Sequence, residues 1–303
     1  MAQKWNMTQK ARWMQMAAIY KRELKSYFYS MIGYVFIAFL IAFTGIYFMA
    51  YNLNYGYPYF SYVLSGITFV LLIAVPILTM RSFAEDRKSK TDQMLLTYPV
   101  SLHEVVLGKY LAMVTILAIP CLIYLIFPLI IKAQGTAYIK VDYLAILVFF
   151  LLGCVYIAIG MFVSSLTQSQ IIAAIGTFGI LLITYLWSGL LNFIGSAAWV
   201  NAIGIVIVLS LLIFCIWQMT KNWVLSAGLE ILLVLVNIIV YVVDSSLYED
   251  LLANILGQMD LLSAFEDISS NNLLDISGII LYLTMILLFN FLTMQMIQKR
   301  RWS

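Results

Sequence analysis

Few side chains in this sequence could carry chemistry, and their spacing excludes most reactions. The single histidine is His103, so any Ser-His-Asp relay would have to use it. It stands in a polar loop, where Ser101 and Glu104 have the spacing of a helix-capping box. A phosphate cradle needs GxxxxGK[ST]. The only Gly-Lys pair is Gly108-Lys109, with Tyr110 after it and His103 where the first glycine would stand. Cys121, Cys154 and Cys215 fall inside apolar runs with no CxxC or Cys/His spacing, so they read as core or lipid-facing thiols. GxSxG, HExxH and paired carboxylates at membrane depth are absent from the sequence. No catalytic and no metal-binding residue is therefore assigned. One acid, Glu230, interrupts an apolar stretch, where it reads either as a transport site or as a side chain reaching back to the interface near Lys221.

The elements that hold these residues follow from composition. Of 303 residues, 64% are apolar and 10% are charged, with a mean hydropathy of +0.98. A soluble domain carries about 25% charge, so most of this surface faces lipid, and the expected fold is an all-α, polytopic transmembrane bundle. The net charge of +3 lies in patches, which argues against a nucleic-acid partner. Apolar runs long enough to cross occupy 31–51, 60–80, 109–132, 143–166, 171–193, 201–219, 225–243 and 277–297. The sixth and seventh are short enough that six spans plus a re-entrant hairpin is the alternative to eight. Fifteen of the seventeen Lys and Arg fall on one side of these runs, leaving Lys132 and Lys140 on the other, so both termini are expected in the cytoplasm. The first run is too long for a signal h-region and reads as an uncleaved anchor.

Three stretches between or beside the spans stand out. Residues 12–28 place Trp13, Ala17, Tyr20, Leu24, Tyr27 and Phe28 near helical spacing with basic residues on other faces. That is the pattern of an interfacial helix in the cytoplasmic headgroup plane, within a cytoplasmic segment 1–30. The loop 81–108 joins a charged half to an apolar cluster, Met94, Leu95 and Leu96, suited to docking on a soluble partner. Pro99 and the Ser101/Glu104 box predict a new helix from near Leu102 into the third span. The outer segment 244–276 holds seven carboxylates and no Lys or Arg, and Tyr248, Leu251, Leu252, Ile255, Met259 and Leu262 have helical spacing. Polar residues inside the apolar runs are few. Thr177, Thr184, Tyr185, Trp187, Ser188 and Asn192 in the fifth run would serve either helix-to-helix hydrogen bonds or a pathway or dimer face. Pro76, Pro120 and Pro128 predict kinks in spans two and three.

The run MRSFAEDRKSKTDQMLLTYPVSLHEVVLGKYLA resembles the loop after the second span of type-2 ABC exporter permeases, with its F-A-E-E/D-R-x-x-G-T-x-E-x-L-L-T-x-P-V-S pattern followed by V-L-G-K. By this pattern the chain resembles gliding-motility GldF-type permeases more closely than sodium-exporter NatB-type permeases. The resemblance covers 15–193 and 262–302. Lys90 stands where the pattern has glycine, and 194–261 exceeds the usual six-span plan. The resemblance implies a permease subunit of a bacterial inner-membrane exporter, multi-pass, that works as a homodimer or pseudo-dimer. It further implies a separate ATP-binding cassette subunit that binds ATP and Mg, so this chain itself has no cofactor. Phe83, Glu85, Asp86, Arg87, Met94, Leu95 and Leu96 would match the coupling helix, and the N-terminal amphipathic helix would match the connecting helix. The competing expectations are a permease-like scaffold of a motility or secretion machine and an ion-coupled carrier.

Overall fold

The computed structural model describes residues 2–90, 101–193, 197–220, 223–243 and 245–302. All regular structure among them is helical, as expected where every backbone polar group must be satisfied within its own segment. The chain divides into two compact units, residues 1–185 with 261–303 and residues 186–260.

The first unit opens with α1 (Ala2–Tyr29) and breaks at Met31, which takes a left-handed φ of 62°, before α2 (Ile32–Phe48). A π-helical turn over Met49–Asn54 ends α2. Helix α3 (Ser61–Thr79) is capped from a distance, because the Asp142 carboxylate accepts from the Phe60 and Ser61 amides at 2.8 and 3.3 Å. The short α4 (Ala84–Lys88) follows. Helix α5 (Leu102–Tyr124) starts behind the capping box that the sequence predicts, with Ser101 Oγ and the Glu104 carboxylate exchanging bonds with each other's backbone amides. It gives way to α6 (Phe127–Gln134), then α7 (Ile139–Leu166) and α8 (Gln170–Tyr185). After the second unit come α13 (Ser263–Asn271) and α14 (Ile276–Trp302).

Helix α7 is the hub, packed by α3, α5, α8, α13 and α14. Small residues make this possible. A Cβ on Gly160 would lie 2.3 Å from Thr79 Oγ1, and one on Gly153 would lie 2.5 Å from Leu117, so the neighbouring helices approach the α7 backbone itself.

The second unit holds α9 (Trp187–Leu191), the long helices α10 (Ala198–Thr220) and α11 (Trp223–Val243), a 3-10 turn over Ser245–Tyr248 and α12 (Leu251–Gly257). Helices α10 and α11 run antiparallel, with Ser210 opposite Glu230.

Five described helical stretches are long and apolar enough to cross a membrane: Ile32–Asn54, Ser61–Lys88, Leu102–Gln134, Ile139–Leu166 and Ile276–Lys299. Three expectations need correction. The apolar run 171–193 is not one helix. It breaks at Leu186, leaving α8 at 16 residues, about 24 Å and short of a straight crossing. The acidic segment 244–276 forms three short pieces among its described residues rather than one amphipathic helix. It is interrupted at Asp250, which has a φ of 55°, and after Gly257, and α13 buries Ala264, Phe265 and Ile268 in the core of the first unit. Pro76 and Pro120 do lie inside helices, but Pro128 occupies the first turn of α6, where a missing amide costs nothing.

Candidate functional site

At one end of the first unit, α1, α4, the start of α5 and the end of α7 converge. The apolar face of α1 that packs on protein overlaps only partly with the one its spacing predicts. Ile19 and Tyr27 are buried, the Tyr20 hydroxyl lies 3.0 Å from Thr115 Oγ1 on α5, and Ala17 is exposed. The approach is close at Gly108, where a Cβ would meet Ile19 Cγ2 at 2.9 Å and the Met16 carbonyl oxygen at 3.3 Å. The glycine of the V-L-G-K run is therefore a seat for α1.

Helix α4 carries three of the residues expected in a coupling element, Glu85, Asp86 and Arg87, with Phe83 as its N-cap, and each is anchored. The Phe83 and Ala84 amides both donate to Ser164 Oγ on α7 at 3.2 Å, and that hydroxyl donates to the Met80 carbonyl oxygen at 3.2 Å. One serine thus caps the end of α3 and the start of α4 together. Arg87 is buried and donates to the Thr167 carbonyl oxygen at 3.3 Å, just past the end of α7. Glu85 pairs with Arg81 one turn earlier, its second oxygen accepting from Nη2 at 2.6 Å. The turn that closes α4 places Lys90 at a left-handed φ of 57°, so the backbone shape a glycine would favour is kept with lysine in place.

The third anchor is an ionic node. Lys109 Nζ lies 2.8 Å from Asp86 Oδ2 on α4 and 3.1 Å from Glu23 Oε2 on α1, and 5.3 Å from the centre of the Phe83 ring. The Lys109 side chain is only 3% exposed. Arg22 Nη2 also bonds Glu23, at 2.6 Å. A buried ammonium is tolerable only when paired and hydrogen-bonded, and the ring face adds attraction to the cation. Tyr27 lies beside this cluster. Burial, reinforced by the neighbouring Glu23, pushes its hydroxyl well above the ordinary phenol range, so it stays neutral.

Phe83, Asp86 and, through α4, Glu85 and Arg87 are therefore brought together. Met94, Leu95 and Leu96 lie outside the described residues. Lys109, Glu23 and Ser164 belong to the same cluster and were not singled out by sequence. A lysine at the start of an apolar run reads as a topology marker, and Ser164 is some eighty positions from the amides it caps.

The fifth-run polar residues scatter. Thr177 is fully buried, donates to the Ala173 carbonyl oxygen at 2.8 Å and packs toward Gly160 of α7. Thr184 donates to the Leu181 carbonyl oxygen at 2.8 Å, and the Tyr185 ring meets Phe69 of α3 edge-on with centroids 5.8 Å apart. Trp187 and Asn192 belong to the second unit, where Trp187 Nε1 donates to the Leu256 carbonyl oxygen at 2.9 Å and Asn192 is exposed at the end of α9. The Thr177 and Thr184 bonds both run along α8 itself.

The family model of the ABC-2 family transporter protein matches residues 6–296. The chain belongs to the ABC-2 transporter family. ABC-2 proteins are membrane permeases, not catalytic enzymes, and an all-α bundle of long apolar helices is consistent with that fold. The match runs through the second unit, so the additional α10–α11 pair lies within the extent of the family model. A search of curated proteins gave no match.

Proposed function

We propose that this ABC-2 permease is the membrane subunit of an ATP-driven exporter of the bacterial inner membrane. It pairs with a second permease copy and takes its energy from a separate ATP-binding subunit docked at the end where α1 and α4 meet. The observation that supports this most directly is the anchoring of α4. It is fixed to the hub helix α7 through Ser164 and Thr167, and to α5 through Lys109. A force applied to the loop after α4 would pass into the centre of the bundle without being lost in a slack connection. Motion of that kind shifts the bundle between two arrangements only if the partner binds them differently, which ATP binding and release by the partner would provide. In this reading both termini face the cytoplasm, and ATP and Mg are held by the partner. The loop pattern, by its resemblance to GldF-type permeases, favours a permease of that kind.

The test is affinity purification of the full chain from mild detergent, with identification of co-purifying proteins and an ATPase assay. An ATP-binding subunit is expected with the parent chain. It is expected to be lost with Leu95→Asp, which puts a charge in the apolar docking cluster, while membrane insertion stays normal. Normal co-purification with Leu95→Asp overturns the docking assignment. A chain that purifies alone without ATPase activity overturns the exporter reading.

A further inference from the structure

The second unit contains a feature the coupling scheme does not use. Helices α10 and α11 carry one charged residue between them, Glu230, the eighth residue of α11 and so about 10 Å from the helix start by its 1.5 Å rise. Its neighbours Leu229, Ile231 and Leu232 are exposed apolar side chains, the surface expected to face lipid. Glu230 Oε1 accepts from Ser210 Oγ on α10. The Ser210 hydroxyl also lies 2.7 Å from the Val206 carbonyl oxygen, and it has one proton for the two acceptors. Among the described residues no salt bridge reaches Glu230. Half a hydroxyl donor is little compensation for a carboxylate in an apolar pair of helices.

A cavity begins one helical turn away. It has a volume of about 350 Å³ and lies between α10 and α11, with Val206 and Val234 at the end near Ser210 and Glu230, and Trp199 and Tyr241 at the other. Its lining is apolar apart from Asn237 and the rings' polar tips. The size falls in the range of small-molecule sites, and the length from Glu230 to Tyr241 is about 16 Å. Tyr241 is itself supported by Tyr248, ring centroids 6.0 Å apart.

We propose that the α10–α11 pair binds a single-chain lipophilic cation, its alkyl chain in the groove toward Trp199 and Tyr241 and its cationic head countering Glu230. Charge complementarity selects this occupant. A neutral lipid chain fills the groove but leaves the carboxylate uncompensated, and an anionic amphiphile adds repulsion. The site shares no residue with the cluster around Lys109, so its test is independent of any ATP-binding partner.

The experiment titrates decyltrimethylammonium into nanodiscs holding the full chain, with empty nanodiscs subtracted. It reads the part of the tryptophan emission that Trp199→Phe removes. A saturable response is expected, with decyl sulfate at least ten-fold weaker. Glu230→Gln is expected to weaken the cation at least ten-fold and leave the response to uncharged decyl maltoside unchanged, and Glu230→Asp is expected to retain the preference for the cation. Val234→Phe, which fills the groove, is expected to weaken all three probes, a result a merely misfolded Glu230 variant would not imitate in its selectivity. Equal binding of the cation by Glu230→Gln, or equal binding of decyl sulfate by the parent chain, overturns the proposal. It also fails if decyltrimethylammonium gives no saturable response while dicyclohexylcarbodiimide labels Glu230, because a proton alone then neutralises the carboxylate.

Discussion

Lys109 in the first unit and Glu230 in the second are each the eighth residue of a long apolar helix. Lys109 meets Asp86, Glu23 and the Phe83 ring, drawn from two further elements, and its side chain is closed off from solvent. Glu230 meets one serine hydroxyl on the facing helix and remains half-exposed beside an apolar cavity. The difference separates two uses of charge in a low-dielectric setting. A charge whose partners come from several elements holds those elements in register, and its removal is felt by the fold. A charge left with a single donor, itself shared with a backbone carbonyl, contributes little to the fold and keeps most of its interaction capacity for something that arrives.

The contrast is broken most directly by neutralising each group. Lys109→Met removes the ammonium that Asp86 and Glu23 share at the junction of α1, α4 and α5. Removing one partner of a buried ion pair costs about 3–5 kcal/mol. Glu230→Gln keeps an acceptor for Ser210 and loses no ion pair among the described residues, so its expected cost is within about 0.5 kcal/mol, typical of positions without a structural partner. Reversible unfolding of the full chain in mixed micelles measures both. A Lys109→Met variant as stable as the parent would remove the node as a joint, and a Glu230→Gln variant as damaged as Lys109→Met would make Glu230 structural.

Packing gives a second, smaller comparison. A Cβ at Gly160 would fall 2.3 Å from Thr79 Oγ1, 2.9 Å from Thr79 Cβ and 3.0 Å from Thr177 Cγ2, all on helices held against α7. Gly160→Ala is therefore expected to cost about 1–3 kcal/mol through overpacking. Gly228, at the start of α11, has nothing within 4 Å of the same position. Gly228→Ala is expected to be neutral or to gain up to about 1 kcal/mol, because alanine loses less backbone freedom in a helix. The same unfolding measurement reads the pair, and equal effects of the two substitutions would contradict the close-packed hub drawn around α7.

What was legible in the sequence is what short-range chemistry determines. The start of α5 could be read because Ser101 and Glu104 cap it three residues apart. The apolar runs could be read because a crossing helix needs them whatever it packs against. The end of α8 could not, since the run from 171 to 193 stays apolar past Tyr185 and hydropathy is blind to where a helix stops within it. The clamp on α4 was equally hidden, because Ser164 reads as an ordinary hydroxyl inside an apolar helix until the fold brings it to the Phe83 and Ala84 amides. The polarity of Thr177 and Tyr185 suits helix-to-helix contacts as well as a pathway or dimer face, and it does not say which neighbours they meet. Thr177 lies in the core against Gly160 and Tyr185 against Phe69, contacts set by tertiary packing.

The smallest effect concerns Lys90, where the loop departs from the glycine of the pattern it resembles. The turn is built by the Ser89 amide donating to the Glu85 carbonyl oxygen at 3.0 Å and the Lys90 amide donating to the Arg87 carbonyl oxygen at 3.1 Å. These bonds close α4 and leave Lys90 at a φ of 57°, which costs an L-residue about 1 kcal/mol. Lys90→Gly removes that cost but gives the unfolded chain more freedom, so the expected net gain is about 0.5 kcal/mol in the same unfolding measurement. A gain of that size means that α4 is held by Ser164 at its start and by Lys109 and Arg87 along its length, with the Lys90 side chain contributing little. A loss instead would mean that the lysine side chain itself helps to hold the turn, and the anchoring of α4 would then extend one residue further toward the segment proposed to meet the ATP-binding subunit.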